Sequence, residues 1–252
     1  MAEFFNAGGH LIIWALIVAV VVGVAYVSHK RRQKLWMQWC EQLGWEFRDD
    51  WSEGPEMFTG GPFGRGRSRK MYLTAAGRYN GLLAMTMAYR FTVGSGKNKR
   101  TYIYQIYRVI LPGARFPTVE VRRENAVVDF FSPDIDFEDK AFNDAWRITS
   151  PNRPFAHALF HQRAIEWFNR VHWPDFHAMW LEGDSVLVAQ KGHQRPEQVP
   201  RYLEALTAWA QTFPRFLLRD IGAPHPLPLT AEGLGPAPGR APAPLPPPNP
   251  YR

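Results

Sequence analysis

The chain has 252 residues, 46% of them apolar, 14% aromatic and 21% charged, which suits one globular domain with additions at its ends and excludes a wholly disordered protein. Thirty Lys and Arg against 23 Asp and Glu leave a net charge of +7, and a single cysteine, Cys40, excludes a disulfide scaffold or a cysteine-rich zinc site. No internal repeat is visible, so solenoids and propellers are excluded as well.

From Leu11 to Val27 the chain reads LIIWALIVAVVVGVAYV, 17 residues without a charge. A helix of that length spans about 25 Å, enough to cross a bilayer core. Trp14 and Tyr26 stand near its ends, where amphipathic rings prefer the headgroup level. Met1 to His10 carries one charged side chain, Glu3, whereas the basic cluster His29-Lys30-Arg31-Arg32-Gln33-Lys34 follows the run. The positive-inside rule then sets residues 1–10 outside and everything after Ser28 in the cytoplasm of a single-pass plasma-membrane protein. The rival reading is a secretory signal cleaved at Gly23-Val24-Ala25, which would release an envelope protein; the missing basic n-region argues against it.

Lys34 to Leu43 repeats apolar residues at helical spacing and Gly44 supplies a stop signal, predicting a short juxtamembrane helix. Trp45 to Phe47 and Met57 to Phe58 are brief strand signals, and the stretch from Gly60 to Lys70 reads as loop. Met71 to Tyr79 and Leu82 to Val93 flank Asn80-Gly81, the two-residue signature of a type I′ hairpin. Thr101 to Leu111, Val119 to Arg122 and Trp146 to Thr149 add strands. One helix is predicted over Phe155 to Val171, a hairpin over Ala178 to Leu181 and Ser185 to Gln190, and a closing helix from Pro196 to Phe213. Past Ile221, 11 of the 22 prolines fall between Pro224 and Pro250, which predicts a disordered tail over 222–252. Residues 28–221 therefore form an α+β domain, a largely antiparallel sheet with helices on one face.

Charge is unevenly divided. Residues 28–123 hold 18 basic and 7 acidic side chains, net +11, and residues 124–219 hold 10 and 13, net −3. A basic half next to a membrane helix has the anionic cytoplasmic leaflet as its partner, at about 1 kcal/mol per Lys or Arg near the surface. The candidate contact residues are Arg65, Arg67, Arg69 and Lys70 in the glycine-rich stretch, and Lys97, Lys99 and Arg100 in the next turn. Nucleic acid is disfavoured because these residues form no nucleic-acid-binding motif.

Catalytic signatures are sparse. His157 and His161 stand four apart within a predicted helix, a spacing that lets two imidazoles share a metal and so suggests, as the alternative, a metal-dependent hydrolase; no His-Glu-x-x-His motif accompanies them. The acidic run Asp134, Asp136, Glu138, Asp139 and Asp144 lacks the form of a calcium loop and reads better as the start of a short helix or as a solvated loop. Gly60 to Gly66 leads into a strand and ends in no Lys-Ser/Thr pair, so it is not a nucleotide loop. No cofactor is implied.

Four stretches carry a resemblance: Gly60-Gly61-Pro62-Phe63-Gly64-Arg65-Gly66, Ala141 to Ile148 followed by Ala156 to Trp167, Leu181-Glu182-Gly183-Asp184, and Phe213-Pro214-Arg215-Phe216. Across Leu35 to Arg219 the chain resembles a group of uncharacterised bacterial single-pass membrane proteins and, more distantly, a broader domain-of-unknown-function family. The resemblance implies a membrane-anchored α+β domain facing the cytoplasm and assigns no catalytic residue. Together with the charge layout it leads to an expected role in non-enzymatic binding or scaffolding at the inner membrane, with anionic lipids or a protein there as partner.

Overall fold

The computed structural model describes residues 2–51, 54–124 and 134–223, together with 227, 229, 234 and 235. Helix α1, Ala2–Leu43, is unbroken, so the apolar run and the juxtamembrane helix are one element. Among the described residues it is the one helix long and apolar enough to cross a membrane, and none of its apolar window is buried against the domain. Ile12, Trp14, Val18, Val22 and Tyr26 all stand exposed, a condition that calls for lipid around them. Further along, Trp36 and Cys40 turn inward and are buried in the domain core. The helix ends where Gly44 takes a φ of 66°, with Trp45 N–H donating to Cys40 O at 2.8 Å and Gly44 N–H to Glu41 O at 3.4 Å, the paired bonds of a Schellman cap.

Eight strands then build one antiparallel sheet: β1 Glu46–Trp51, β2 Arg67–Tyr79, β3 Leu82–Val93, β4 Arg100–Ile110, β5 Phe116–Arg123, β6 Trp146–Thr149, β7 Ala178–Gly183 and β8 Ser185–Lys191. Their spatial order is β1-β2-β3-β4-β8-β7-β5-β6, with β9, Leu234–Gly235, pairing Tyr79 and Arg78 beside β1 on the outer edge of β2. The β2–β3 turn has φ of 46° at Asn80 and 81° at Gly81, the conformation that a type I′ turn requires. Strand β2 carries two bulges, between Arg67 and Lys70 and between Tyr72 and Ala75, each holding a non-glycine residue in the left-handed region, Ser68 and Leu73.

Helices α2 Lys140–Ala145, α3 Arg153–Leu159, α4 Gln162–Arg170, α5 Val199–Gln211 and α6 Arg215–Asp220 cover one face of the sheet together with the inner end of α1. This is the α+β arrangement expected from the hairpin pattern. Leu203, Leu206 and Trp209 of α5 are fully buried there, each contributing about 2 kcal/mol relative to an exposed position. Tyr202 stacks on Tyr107 of β4 at 4.3 Å. The other face is covered by the irregular segment 54–66, whose Met57, Phe58 and Phe63 pack on Met85, Tyr89, Trp180 and Leu187.

Three expectations are corrected. Met57 and Phe58 form no strand, because both side chains are spent on covering the second face of the sheet instead of entering a ladder. The glycine-rich loop ends at Gly66, and Arg67 to Lys70 already belong to β2, paired with Thr92 and Arg90. The helix predicted from Phe155 to Val171 is two helices: His161 is extended (φ −67°, ψ 165°), which lets Phe160 enter an aromatic cluster with Phe142, Phe168 and Trp209. Packing of that ring outweighs one unbroken turn of helix. Of the predicted disordered tail, Ala223 is buried, Leu227 and Leu229 pack against the core and Leu234–Gly235 is paired; residues 224–226, 228, 230–233 and 236–252 lie outside the described residues.

Candidate functional site

The sheet has two ends, and α1 tells them apart. Trp45, just past the helix, packs against Gly77 near the β2–β3 turn, while His29, just past the apolar run, reaches Asp49 (Nε2 to Oδ2, 3.5 Å) and the ring of Tyr72 (6.1 Å). The residues of β2 that precede Tyr72, together with what pairs with them, lie further toward the apolar run. These are Arg67, Arg69, Lys70, Arg90 of β3 and the β3–β4 turn with Lys97, Lys99 and Arg100. The two basic stretches singled out in the sequence thus meet at one end of the sheet, the end beside the membrane helix. They are joined directly, since Arg67 Nη2 donates to Gly94 O at 2.7 Å.

Most of this charge is uncompensated. Arg69, Lys97, Lys99 and Arg100 are exposed and form no ion pair with another described residue, whereas Lys70 is paired with Asp50 at 2.9 Å. Lys191 of β8 sits opposite Tyr104 and joins the same end. Two imidazoles register the field. Burial, then Arg122, Lys191 and Arg65, hold His177 down at about 3; burial, then Arg32 and His29, hold His193 at about 4. Among the cations stands an aromatic ladder, Tyr102 stacked on Phe91 at 5.4 Å and Phe91 on Tyr104 at 6.0 Å, with Tyr102 left 37% exposed. Basic side chains thus stand interleaved with a half-exposed tyrosine at this end of the sheet. Sequence reading missed Arg90 and Lys191, which sit singly in strands and become neighbours of the basic stretches only through strand pairing.

The remaining candidates are occupied with structure. Thr59 N–H, Gly60 N–H and the Thr59 hydroxyl all donate to the Glu182 carboxylate at 2.8 to 3.1 Å, and Gly61 N–H donates to Glu120 at 3.0 Å. The glycine-rich loop does cradle anions, and they are the protein's own. Arg122, 3% exposed, is bonded to Glu120 and reaches Gly61 O. Arg108, 2% exposed, is held by Asp184 at 2.9 Å and Ser185 at 2.7 Å and lies over Phe58.

His157 and His161 are parted by the helix break: His157 is exposed beside Phe137, and His161 Nε2 lies 3.2 Å from Thr212 O. Among the described residues no group of three or more His, Cys, Asp or Glu converges on one point. In the acidic run, Asp139 caps α2 through Phe142 N–H at 2.8 Å, Asp134 accepts from Ile135 and Ile148 N–H, and Asp144 pairs with Lys140. Asp139 alone starts the helix and Asp136 and Glu138 stand exposed in the loop before it, so the run combines the helix start and the solvated loop that the sequence suggested as alternatives.

No protein-family model and no curated protein sequence matches the chain. In backbone it is similar to the crystal structure of the mycobacterial trehalose monomycolate transport factor A, TtfA, at a TM-score of 0.54 and 13% identity, over 74% of this chain and 96% of that one. At that identity the likeness is one of fold.

Proposed function

We propose that this protein is a single-pass membrane protein whose α+β domain lies in the cytoplasm with the basic end of its sheet against the anionic inner leaflet, acting without catalysis as a binding platform there. The observation that carries the reading is the contact of His29 with Asp49 and Tyr72, which turns Arg67, Arg69, Lys97, Lys99 and Arg100 toward the bilayer that holds the apolar run. The cytoplasmic orientation follows from the basic residues after that run. The non-catalytic reading draws support from the polar groups themselves, since Glu120, Glu182, Arg108 and Arg122 are consumed in holding a loop to a sheet. The fold shared with a transport factor adds the sense of an accessory to transport.

One reporter tests both parts. With Ser95→Cys in the exposed turn, an impermeant maleimide labels the site only after cells are permeabilised; labelling in intact cells overturns the orientation. In bilayers carrying headgroup-quencher lipids, a fluorophore at the same position is quenched more strongly in anionic than in neutral membranes, as attraction to the leaflet tilts the helix and its domain toward the surface. Removing Lys97, Lys99 and Arg100 costs about 3 kcal/mol of docking and abolishes that difference. Equal quenching in both lipids removes the electrostatic reading.

A further inference from the structure

The opposite end of the helix layer carries a second basic surface of a different kind. Between α4, the end of α5 and α6 lies an open cleft of about 860 Å³. Its rim holds Arg163, Arg170 and Arg215, and its floor is Trp167, Phe213 and Phe216. The geometry points to a docking site for an acidic peptide segment of a partner protein that inserts an apolar anchor side chain.

Four observations carry it. First, Arg163 and Arg215 are exposed and pair with no other described residue; of the nearby carboxylates, Glu166 is taken by Arg170 at 3.4 Å and Asp220 by Arg219 at 3.7 Å. This cationic rim stands in the half of the chain whose net charge is −3, so it is a local concentration and not part of a general basic surface. Second, Phe216 is left 51% exposed on a short helix beside half-buried Trp167, which gives an anchor residue a place to leave water. Third, the floor is preformed: the bond between His161 and Thr212 ties the start of α4 to the end of α5, and Phe213 is clamped edge-on between Phe116 and Trp209 at 5.8 and 5.6 Å. Little conformational freedom is lost on binding. Fourth, Trp, Phe and Arg around an open depression are the residues that dominate binding energy in protein interfaces, and the rim charge selects acidic over neutral sequences.

The position adds meaning. Phe116 is paired with Gly183 at the β7–β8 turn, so the cleft lies at the end of the sheet far from Lys97 and Arg100. Strand β4 runs its length of about 33 Å between the two ends. One basic end faces lipid under the function proposed above, and the other holds a protein segment whether or not that lipid contact exists.

The test uses the full chain in neutral-lipid nanodiscs at physiological salt, panned with a phage-displayed library of random linear peptides. The expected result is enrichment of sequences rich in Asp and Glu around an aromatic or aliphatic residue. Their binding falls tenfold or more in Arg163→Ala/Arg215→Ala and again in Phe216→Ala, and it persists in Lys97→Ala/Lys99→Ala/Arg100→Ala. Neutral or basic consensus peptides, or none, overturn the proposal. So do peptides lost only when the Lys97 turn is changed, which assigns them to the lipid-facing end, and so does a soluble single-chain alkyl phosphate that saturates the cleft while no peptide binds. None of these outcomes bears on quenching at residue 95, so the two proposals fail separately.

Discussion

The two faces of the sheet are covered by different means, and the means make different demands on the polypeptide. On one face lie helices, which satisfy their own backbone groups and so need contribute only apolar side chains, Leu203, Leu206, Trp209 and Phe168 among them. On the other lies segment 54–66, whose internal backbone bonds are few, Met57 N–H to Gly54 O at 3.1 Å and Phe63 N–H to Gly60 O at 3.2 Å. Three in a row, at Thr59, Gly60 and Gly61, have to be given carboxylates, and these come with the buried guanidinium of Arg122. A loop can serve as a lid for a sheet only when the strands beneath supply its hydrogen bonds. The face covered by helices is held by many interchangeable contacts, and the face covered by the loop by a few specific ones.

The strongest test sets one residue of each face against the other. Leu206→Ala leaves a cavity beneath α5 and lowers global stability by about 3 kcal/mol, with hydrogen exchange faster throughout the domain. Glu182→Ala lowers stability by about 2 kcal/mol, and its signature is local: the amides of Thr59 and Gly60 exchange like exposed chain while those of β4 and β8 keep their protection. Equal, uniform acceleration in both variants would erase the distinction between the two covers.

Acidification sharpens the same contrast, because His177 lies on the loop-covered side against Arg122 and Tyr104. Its folded-state value is depressed to about 3 from 6.5, so below pH 6.5 the unfolded chain takes up a proton that the folded one refuses. Stability therefore declines as pH falls from 6.5 toward 3, and His193, at about 4, adds to the decline in the same window. Thermal midpoints measured between pH 7 and pH 5 fall for the native chain and fall less for His177→Gln; identical slopes would show that this imidazole titrates freely.

The smallest effect is a gain. Ser68 sits in a bulge with φ of 53°, a conformation that costs a residue with a β-carbon about 1 kcal/mol and glycine almost nothing. Ser68→Gly raises stability by about 0.5 kcal/mol, the relief less the added chain entropy, read as a small rise in the midpoint.

The contrast between faces also marks what can be read in the sequence. Alternating apolar residues on either side of Asn80-Gly81 declare a hairpin, and the charge-free run before His29 declares a membrane helix, because each signal is local and periodic. The cover formed by Phe58 and Phe63 has no period, and its hydrogen bonds come from Glu182, 123 residues away from Thr59. Leu73 carries none of the glycine that usually marks a left-handed bulge, so the strand from Met71 to Tyr79 reads as regular. The break at His161 has neither glycine nor proline and follows from where Phe160 finds room. The basic end was half legible as two charge runs, and their union by strand pairing was not. The cleft was invisible for a related reason, since Arg163, Arg170 and Arg215 come from two helices that no local pattern brings together.

That α1 passes without interruption from the apolar run into the core through Trp36 and Cys40 leaves no hinge between anchor and domain. A helical tether of this kind transmits angle as well as position. In a bilayer whose thickness differs from the length of the run, the helix tilts, and the sheet, being fixed to the same rod, turns with it by the same angle. Near the foot of the rod the basic end of the sheet moves little, whereas the arginine-rimmed cleft at the far end sweeps the widest arc, so bilayer thickness sets the direction in which that cleft is presented.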